Sequence, residues 1–166
     1  LTLMATTPVT VWTKLTGTWA IDAGRALTTG SDGSIYVTGD TRGGLGAEDA
    51  FLTKYDTDGT IAWTRLIGTS DIEYGYAVTT GLDGSIYVTG FTFGDLNGEN
   101  NSGARGAFLT KYDANGNRAW TKLIEANEGS GLATGLDGSI YVTGATSGNL
   151  DGETNSGGSD GFIAKY

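Results

Sequence analysis

Two stretches of this sequence set oxygen-bearing side chains at alternate positions around a glycine: Asp95, Asn97 and Glu99, and again Asn149, Asp151 and Glu153. Short calcium loops gather their ligands in this way, and hard oxygen donors suit calcium or magnesium far better than zinc. The full EF-hand spacing is absent. An Asx-turn loop, in which Asp and Asn bond to their own backbone, therefore competes with calcium as a reading. Asp22, Asp71 and Glu73 could in principle do acid–base work, but no motif sets them apart from surface charge. The chain has no histidine and no cysteine. That removes the commonest general base and metal ligand, along with thiolate nucleophiles, disulfides and the usual structural zinc sites. The glycine-rich loops also lack the Gly-Lys-Ser/Thr ending of a phosphate loop. The residue types point to binding, and no enzymatic activity is expected.

Aromatic residues supply the other candidates. Trp12, Trp63 and Trp120 recur in matching segments, where they could stack on sugar rings but fit packing between sheets better. Trp19 replaces the Ser70 of the next repeat and falls in a loop, which predicts exposure and makes it a contact candidate together with Tyr74 and Tyr76. Asp49 and Asp160 take matching positions before a strand, where the second repeat has Gly106 after Arg105. These three charged residues complete the candidate binding set, although such aspartates more often cap a strand end.

Something must hold these side chains in place, and composition says what. Twenty-nine glycines against one proline, with plentiful Thr, Val, Ile, Tyr and Trp, describe short strands joined by tight turns. Apolar residues make up 38% of the 166, enough for a core, and no run approaches the length of a membrane span. Nineteen acidic against ten basic residues give a formal charge of −9, which repels phosphate backbones and anionic lipid surfaces. Neither nucleic acid nor membrane insertion is expected. The opening LTLMATTPVT has no basic segment followed by an apolar core, so no signal peptide is expected in this stretch.

Internal repetition decides the architecture. The string DGSIYVTG occurs at Asp32–Gly39, Asp83–Gly90 and Asp137–Gly144. AFLTKYD begins at Ala50 and at Ala107, and GFIAKY at Gly161. The tryptophan segment reads VWTKLTG around Trp12, AWTRLIG around Trp63 and AWTKLIE around Trp120; RALTTG, YAVTTG and SGLATG precede the three DGSIYVTG strings. Each repeat thus holds four strand-like segments separated by turns such as Asp32-Gly33, Asp58-Gly59 and Asn115-Gly116. Four antiparallel strands make one β-propeller blade, and alternation in SIYVTG gives each strand one apolar and one mixed face.

The fold expected is all-β, with three such blades per chain. Residues 10–15 form an outer strand that completes the last blade, and blades 1, 2 and 3 cover 24–67, 75–124 and 129–166. Three blades fall below the usual range of about four to eight, so a head-to-tail homodimer closing a six-bladed ring is expected. A segment of a longer propeller is the rival.

The succession of DGSIYVTG, a Gly/Asn/Ser-rich loop, AFLTKYD and AWTRLIG resembles the bacterial beta-propeller repeat called the SBBP family, from about Val11 to Tyr166. The resemblance implies a propeller fold, an extracellular or cell-surface setting and a role in adhesion or interaction. The family name refers to seven blades, and this chain departs from it by having three. The function expected is a scaffold that binds a protein partner, with a carbohydrate-binding propeller or a structural segment of a larger surface protein as alternatives.

Overall fold

The computed structural model describes residues 8–101 and 105–166, and the positions outside those ranges include the first seven residues of LTLMATTPVT and three of the second insert. Among the described residues the regular structure is all strand, and eleven strands form three antiparallel sheets in which neighbours in sequence are neighbours in space. Sheet 1 holds β1 (Asp22–Thr29), β2 (Ile35–Thr41), β3 (Asp49–Tyr55) and β4 (Ile61–Ile67). Sheet 2 repeats the arrangement with β5 (Glu73–Thr80), β6 (Ile86–Thr92), β7 (Gly106–Tyr112) and β8 (Arg118–Ile124). Sheet 3 has three strands, β9 (Glu128–Thr134), β10 (Ile140–Thr146) and β11 (Asp160–Lys165).

Turn chemistry sets this meander. In the first DGSIYVTG the Gly30 N–H donates to Ser34 O at 2.8 Å and the Gly33 N–H to Gly30 O at 3.0 Å, with Gly33 at φ 81°. Only glycine takes that backbone cheaply. Asp32 closes the turn by accepting the Ser34 N–H at 3.0 Å, and Lys54 from β3 reaches the same carboxylate. Asp83 and Asp137 do the same with Ser85 and Lys111, and with Ser139 and Lys165. These bonds hold all three carboxyls below the ordinary value, through the Ser34 and Ser85 N–H groups for Asp32 and Asp83 and through Lys165 for Asp137. A depressed carboxyl stabilises the fold fully above its unfolded pKa and loses that contribution as acid protonates it. Stability should therefore fall as pH drops below about 4, and Asp83→Asn should flatten that limb of a urea-midpoint against pH curve.

The sheets stack face to face. Tyr36, Ala50, Leu52 and Ile67 of sheet 1 bury against Val78, Ile86, Val88 and Phe108 of sheet 2. Tyr87, Leu109 and Ile124 of sheet 2 bury against Ile140 and Val142 of sheet 3. First strands approach one another, β1 against β5 and β5 against β9, whereas no comparable set of contacts joins β4 to β8. The sheets therefore splay apart from a common inner side.

Thr10–Leu15, expected as the outer strand that completes the last blade, runs as irregular chain in the single chain. It instead crosses the open side of sheet 1, where Thr16, Gly17 and Thr18 border a cavity of about 100 Å³ with Phe51, Thr53 and Leu66.

Candidate interaction surface

Each sheet has two edges. One carries the tight glycine turns, and the other carries the β2–β3, β6–β7 and β10–β11 loops with the connectors between sheets. The first strand of each sheet has a β-bulge near this loop edge: after Gly24, after Gly75 and around Ser130. The bulged residues are Arg25, Tyr76 and Ser130, and a bulge re-aims the side chain it frees from the ladder.

Pairing registers bring out a pattern that the linear repeats hide. The second strands read IYVTGDT, IYVTGFT and IYVTGAT, identical except at Asp40, Phe91 and Ala145. Those three pair with Ala23, Tyr74 and Glu128. Beside them lie the bulge residues, and two positions beyond them in sequence lie Arg42, Phe93 and Ser147. Glu48, Arg105 and Ser159 precede the third strands. At these five loop-edge positions the repeat carries a different residue in every copy.

The side chains at these positions touch. Arg25 pairs with Asp40 and carries its guanidinium to 4.8 Å from the Tyr74 ring centre and 5.4 Å from that of Tyr76. Tyr74 donates its hydroxyl to Glu48, which also pairs with Arg42. Phe91 lies 5.0 Å from Tyr74, 5.6 Å from Tyr76 and 5.6 Å from Phe93. Arg105 covers the Phe91 ring at 4.0 Å and pairs with Glu128 of sheet 3. One continuous band of arginine, carboxylate and aromatic groups therefore crosses all three sheets. Burial raises the Tyr76 phenol above its ordinary pKa; Glu128 and Asp40 push the same way, and Arg105 and Arg25 oppose them. Tyr76 stays neutral across the physiological range.

Tyr74, Tyr76 and Arg105 of the expected binding set meet in this band. Trp19 is at the same edge in the bend before β1 and is 93% exposed. Asp49 differs from expectation. It is wholly buried, with Oδ2 accepting the Leu45 and Gly46 N–H groups at 2.6 and 3.1 Å, so it shapes a loop and presents nothing to a partner. Asp160 likewise holds its own loop, accepting the Ser156 N–H and hydroxyl at 2.7 and 2.8 Å.

The two oxygen-rich inserts share one geometry. Asn97 and Gly98 take φ 58° and 91°, and Asp151 and Gly152 take 51° and 90°. Each pair forms a two-residue turn whose flanks bridge, Leu96 to Glu99 and Leu150 to Glu153. Leu96 and Leu150 anchor the turns in the core. Asp95 accepts the Asn101 N–H at 2.8 Å and Asn149 the Asn155 N–H at 2.9 Å. Asn97 spends its amide on Thr121 and Arg118. Among the described residues no group of three Asp, Glu, His or Cys side chains stands close enough to hold a cation. A bound ion at a hundredfold excess over its Kd would add about 2.7 kcal/mol, a shift of several degrees. With these loops closed by their own bonds, EDTA is expected to move the melting temperature by less than about 1 °C.

The carboxylates considered for catalysis have other work. Glu73 is wholly buried and accepts from the Thr69 N–H, the Thr69 hydroxyl and the Thr92 hydroxyl at 2.7 to 2.9 Å. Asp22 accepts the Thr18 N–H at 2.7 Å, while Asp71 stands on the surface.

No known protein family profile matches the chain. The curated "Regulatory protein FlaEY" of Caulobacter vibrioides is 31% identical to it over 172 residues, covering 88% of this chain and 18% of that protein. The chain therefore spans less than a fifth of that relative's length.

Proposed function

We propose that the three sheets are adjacent blades of a β-propeller and that the chain is a non-catalytic interaction module, binding a protein partner through its loop edge. The observation behind this reading is the pattern of variation. Strands repeated nearly letter for letter carry a different residue in every copy at five loop-edge positions, and the large side chains there gather in one band. Packing alone would have let the same residues serve in every blade. Tyrosine, arginine and tryptophan are also the side chains that dominate binding energy at protein interfaces. Here the rings are already stacked and the guanidiniums already held, so little side-chain freedom remains to be lost on binding.

A lectin reading would favour equivalent sites in each blade. The band is instead different in each: arginine and carboxylate in the first, aromatic in the second, small and polar in the third. Adhesion or interaction in an extracellular or cell-surface setting, as the repeat resemblance implies, fits this reading.

The test uses the immobilised chain to retain partners from an extract of its source organism. Tyr76→Ala and Phe93→Ala should each weaken retention of a specific protein by at least about tenfold, the effect of a hot-spot residue. Asn115→Ala at the turn edge should leave it unchanged. Retention insensitive to the loop-edge changes would count against the proposal. Binding on a glycan array that is lost in the same two variants would replace it with the carbohydrate reading.

A further inference from the structure

The connector from the last strand of one sheet to the first strand of the next differs in length at the two junctions. Five residues, 68–72, join β4 to β5, whereas three, 125–127, join β8 to β9. The longer connector fills the loop edge between sheets 1 and 2. Glu73 fixes Thr69 by accepting its N–H at 2.8 Å and its hydroxyl at 2.9 Å. The Thr69 carbonyl backs onto the loop of sheet 1, where a Cβ built on Gly46 would come within 2.5 Å of it. The Ala47 N–H donates to Asp71 O at 3.3 Å and the Glu73 N–H to Glu48 O at 2.8 Å, and Glu48 bridges Ile72. Residues 69–72 are thus a short bent segment clasped between two sheets.

Between sheets 2 and 3 that segment has no counterpart. Gly43, Gly94 and Gly148 take the same place after the three second strands. A Cβ built on Gly43 would collide with Thr18, and one on Gly94 with Thr69; one on Gly148 would meet nothing within 4 Å. By the strand registers Asn127 takes the place of Glu73, and it spends its Oδ1 on the Ser147 N–H at 2.6 Å. What the shorter connector leaves is a cavity of about 470 Å³ bordered by Glu99, Arg105, Glu125, Ala126, Ser147 and Gly148. Ligand pockets typically measure about 300–1,000 Å³.

Charge says what kind of segment suits it. Arg105 is already met by Glu128 and by the Phe91 ring. Glu99 and Glu125 are exposed at the cavity, and neither takes part in an ion pair among the described residues. A cationic side chain gains from both, and the formal charge of −9 on the whole chain favours its approach.

We infer, on the reading of the loop edge as a protein-binding surface, that the cavity between sheets 2 and 3 is a slot for a short peptide segment of the partner that carries a lysine or arginine. The segment takes the place that residues 69–71 hold between sheets 1 and 2, and its cation is met by Glu99 and Glu125.

Amide NMR shifts of the 166-residue chain, titrated with acetyl-Gly-Thr-Ser-Lys-Ile-amide, test this. That probe is the first connector with lysine in place of its aspartate. Shifts are expected at Ala126, Ser147 and Gly148 with a Kd of about 1 mM. The same peptide with the original aspartate should bind about fivefold more weakly. Gly148→Phe should abolish the shifts and leave the urea midpoint unchanged, since its side chain enters open space. Glu125→Gln should weaken the lysine probe by about threefold and spare the aspartate one. No shift at about 10 mM peptide, shifts that survive Gly148→Phe, or an aspartate probe that binds as well as the lysine one would each overturn the inference. The peptide assay needs no partner, so slot and band can fail separately. Partner retention that falls with Tyr76→Ala and Phe93→Ala but ignores Gly148→Phe would keep the band and strike the slot.

Discussion

Gly90→Ala is expected to destabilise the chain by at least about 3 kcal/mol, beyond the usual range for overpacking. The last glycine of each DGSIYVTG faces the bulge in the preceding strand, and the bulge turns a backbone carbonyl inward. At Gly90 an added Cβ would collide with the Tyr74 carbonyl oxygen; at Gly39 and Gly144 it would collide with those of Ala23 and Glu128. Backbone on both sides cannot yield as a flexible side chain can, and relief would require opening the β5–β6 ladder. Gly84→Ala is the matched control. Gly84 sits at φ 78° with nothing within 4 Å of an added Cβ, so its cost is conformational only, about 1 kcal/mol. Urea midpoints for the two variants separate steric collision from backbone preference.

Glu73→Leu should cost about 2 to 4 kcal/mol, because it strands the Thr69 N–H, which has Glu73 as its acceptor, and takes an acceptor from the Thr69 hydroxyl, while the Thr92 hydroxyl keeps Gly94 O. Glu73→Gln keeps an acceptor oxygen in nearly the same place and should lose about half as much. The position matters beyond stability. Glu73 ties the connector between sheets 1 and 2 to the end of β6, next to Tyr74 and Phe93, so a loss there should loosen the aromatic band as well as the fold. Both readouts, the urea midpoint and partner retention, should move together for Leu and far less for Gln.

Strands and turns were legible in the sequence because their causes are local. Asp-Gly and Asn-Gly turns need positive φ at the glycine, and alternation fixes which side of each strand is buried. The three sheets draw their strands from Asp22–Ile67, Glu73–Ile124 and Glu128–Lys165. Thr10–Leu15 has the composition of β4 and β8 and carries no strand in the single chain, since a strand needs a partner that composition does not name. The oxygen-rich inserts invited a metal reading because spacing shows which oxygens are near in sequence, while the structure shows Asn97-Gly98 and Asp151-Gly152 as two-residue turns. Asn-Gly and Asp-Gly are themselves the composition such a turn requires. Burial of Asp49 had no local signal, since Asp160 at the same position keeps contact with solvent.

The interaction band was half visible. Tyr74, Tyr76 and Arg105 stood out by type, but Arg25, Asp40, Phe91 and Glu48 became part of one surface only once the register aligned the repeats. Bulges move Arg25 and Tyr76 out of simple alternation, which is why a period of two does not place them. Comparing the second strands letter by letter, where IYVTG is constant and one following residue changes, is the signal that could have found the band earlier.

Retention of a partner by the immobilised chain tests the central claim most directly, that the loop-edge band is an interaction surface. Tyr76→Ala and Phe93→Ala should each weaken retention of a specific protein by at least about tenfold, with Asn115→Ala unchanged. Retention indifferent to both loop-edge changes would contradict it.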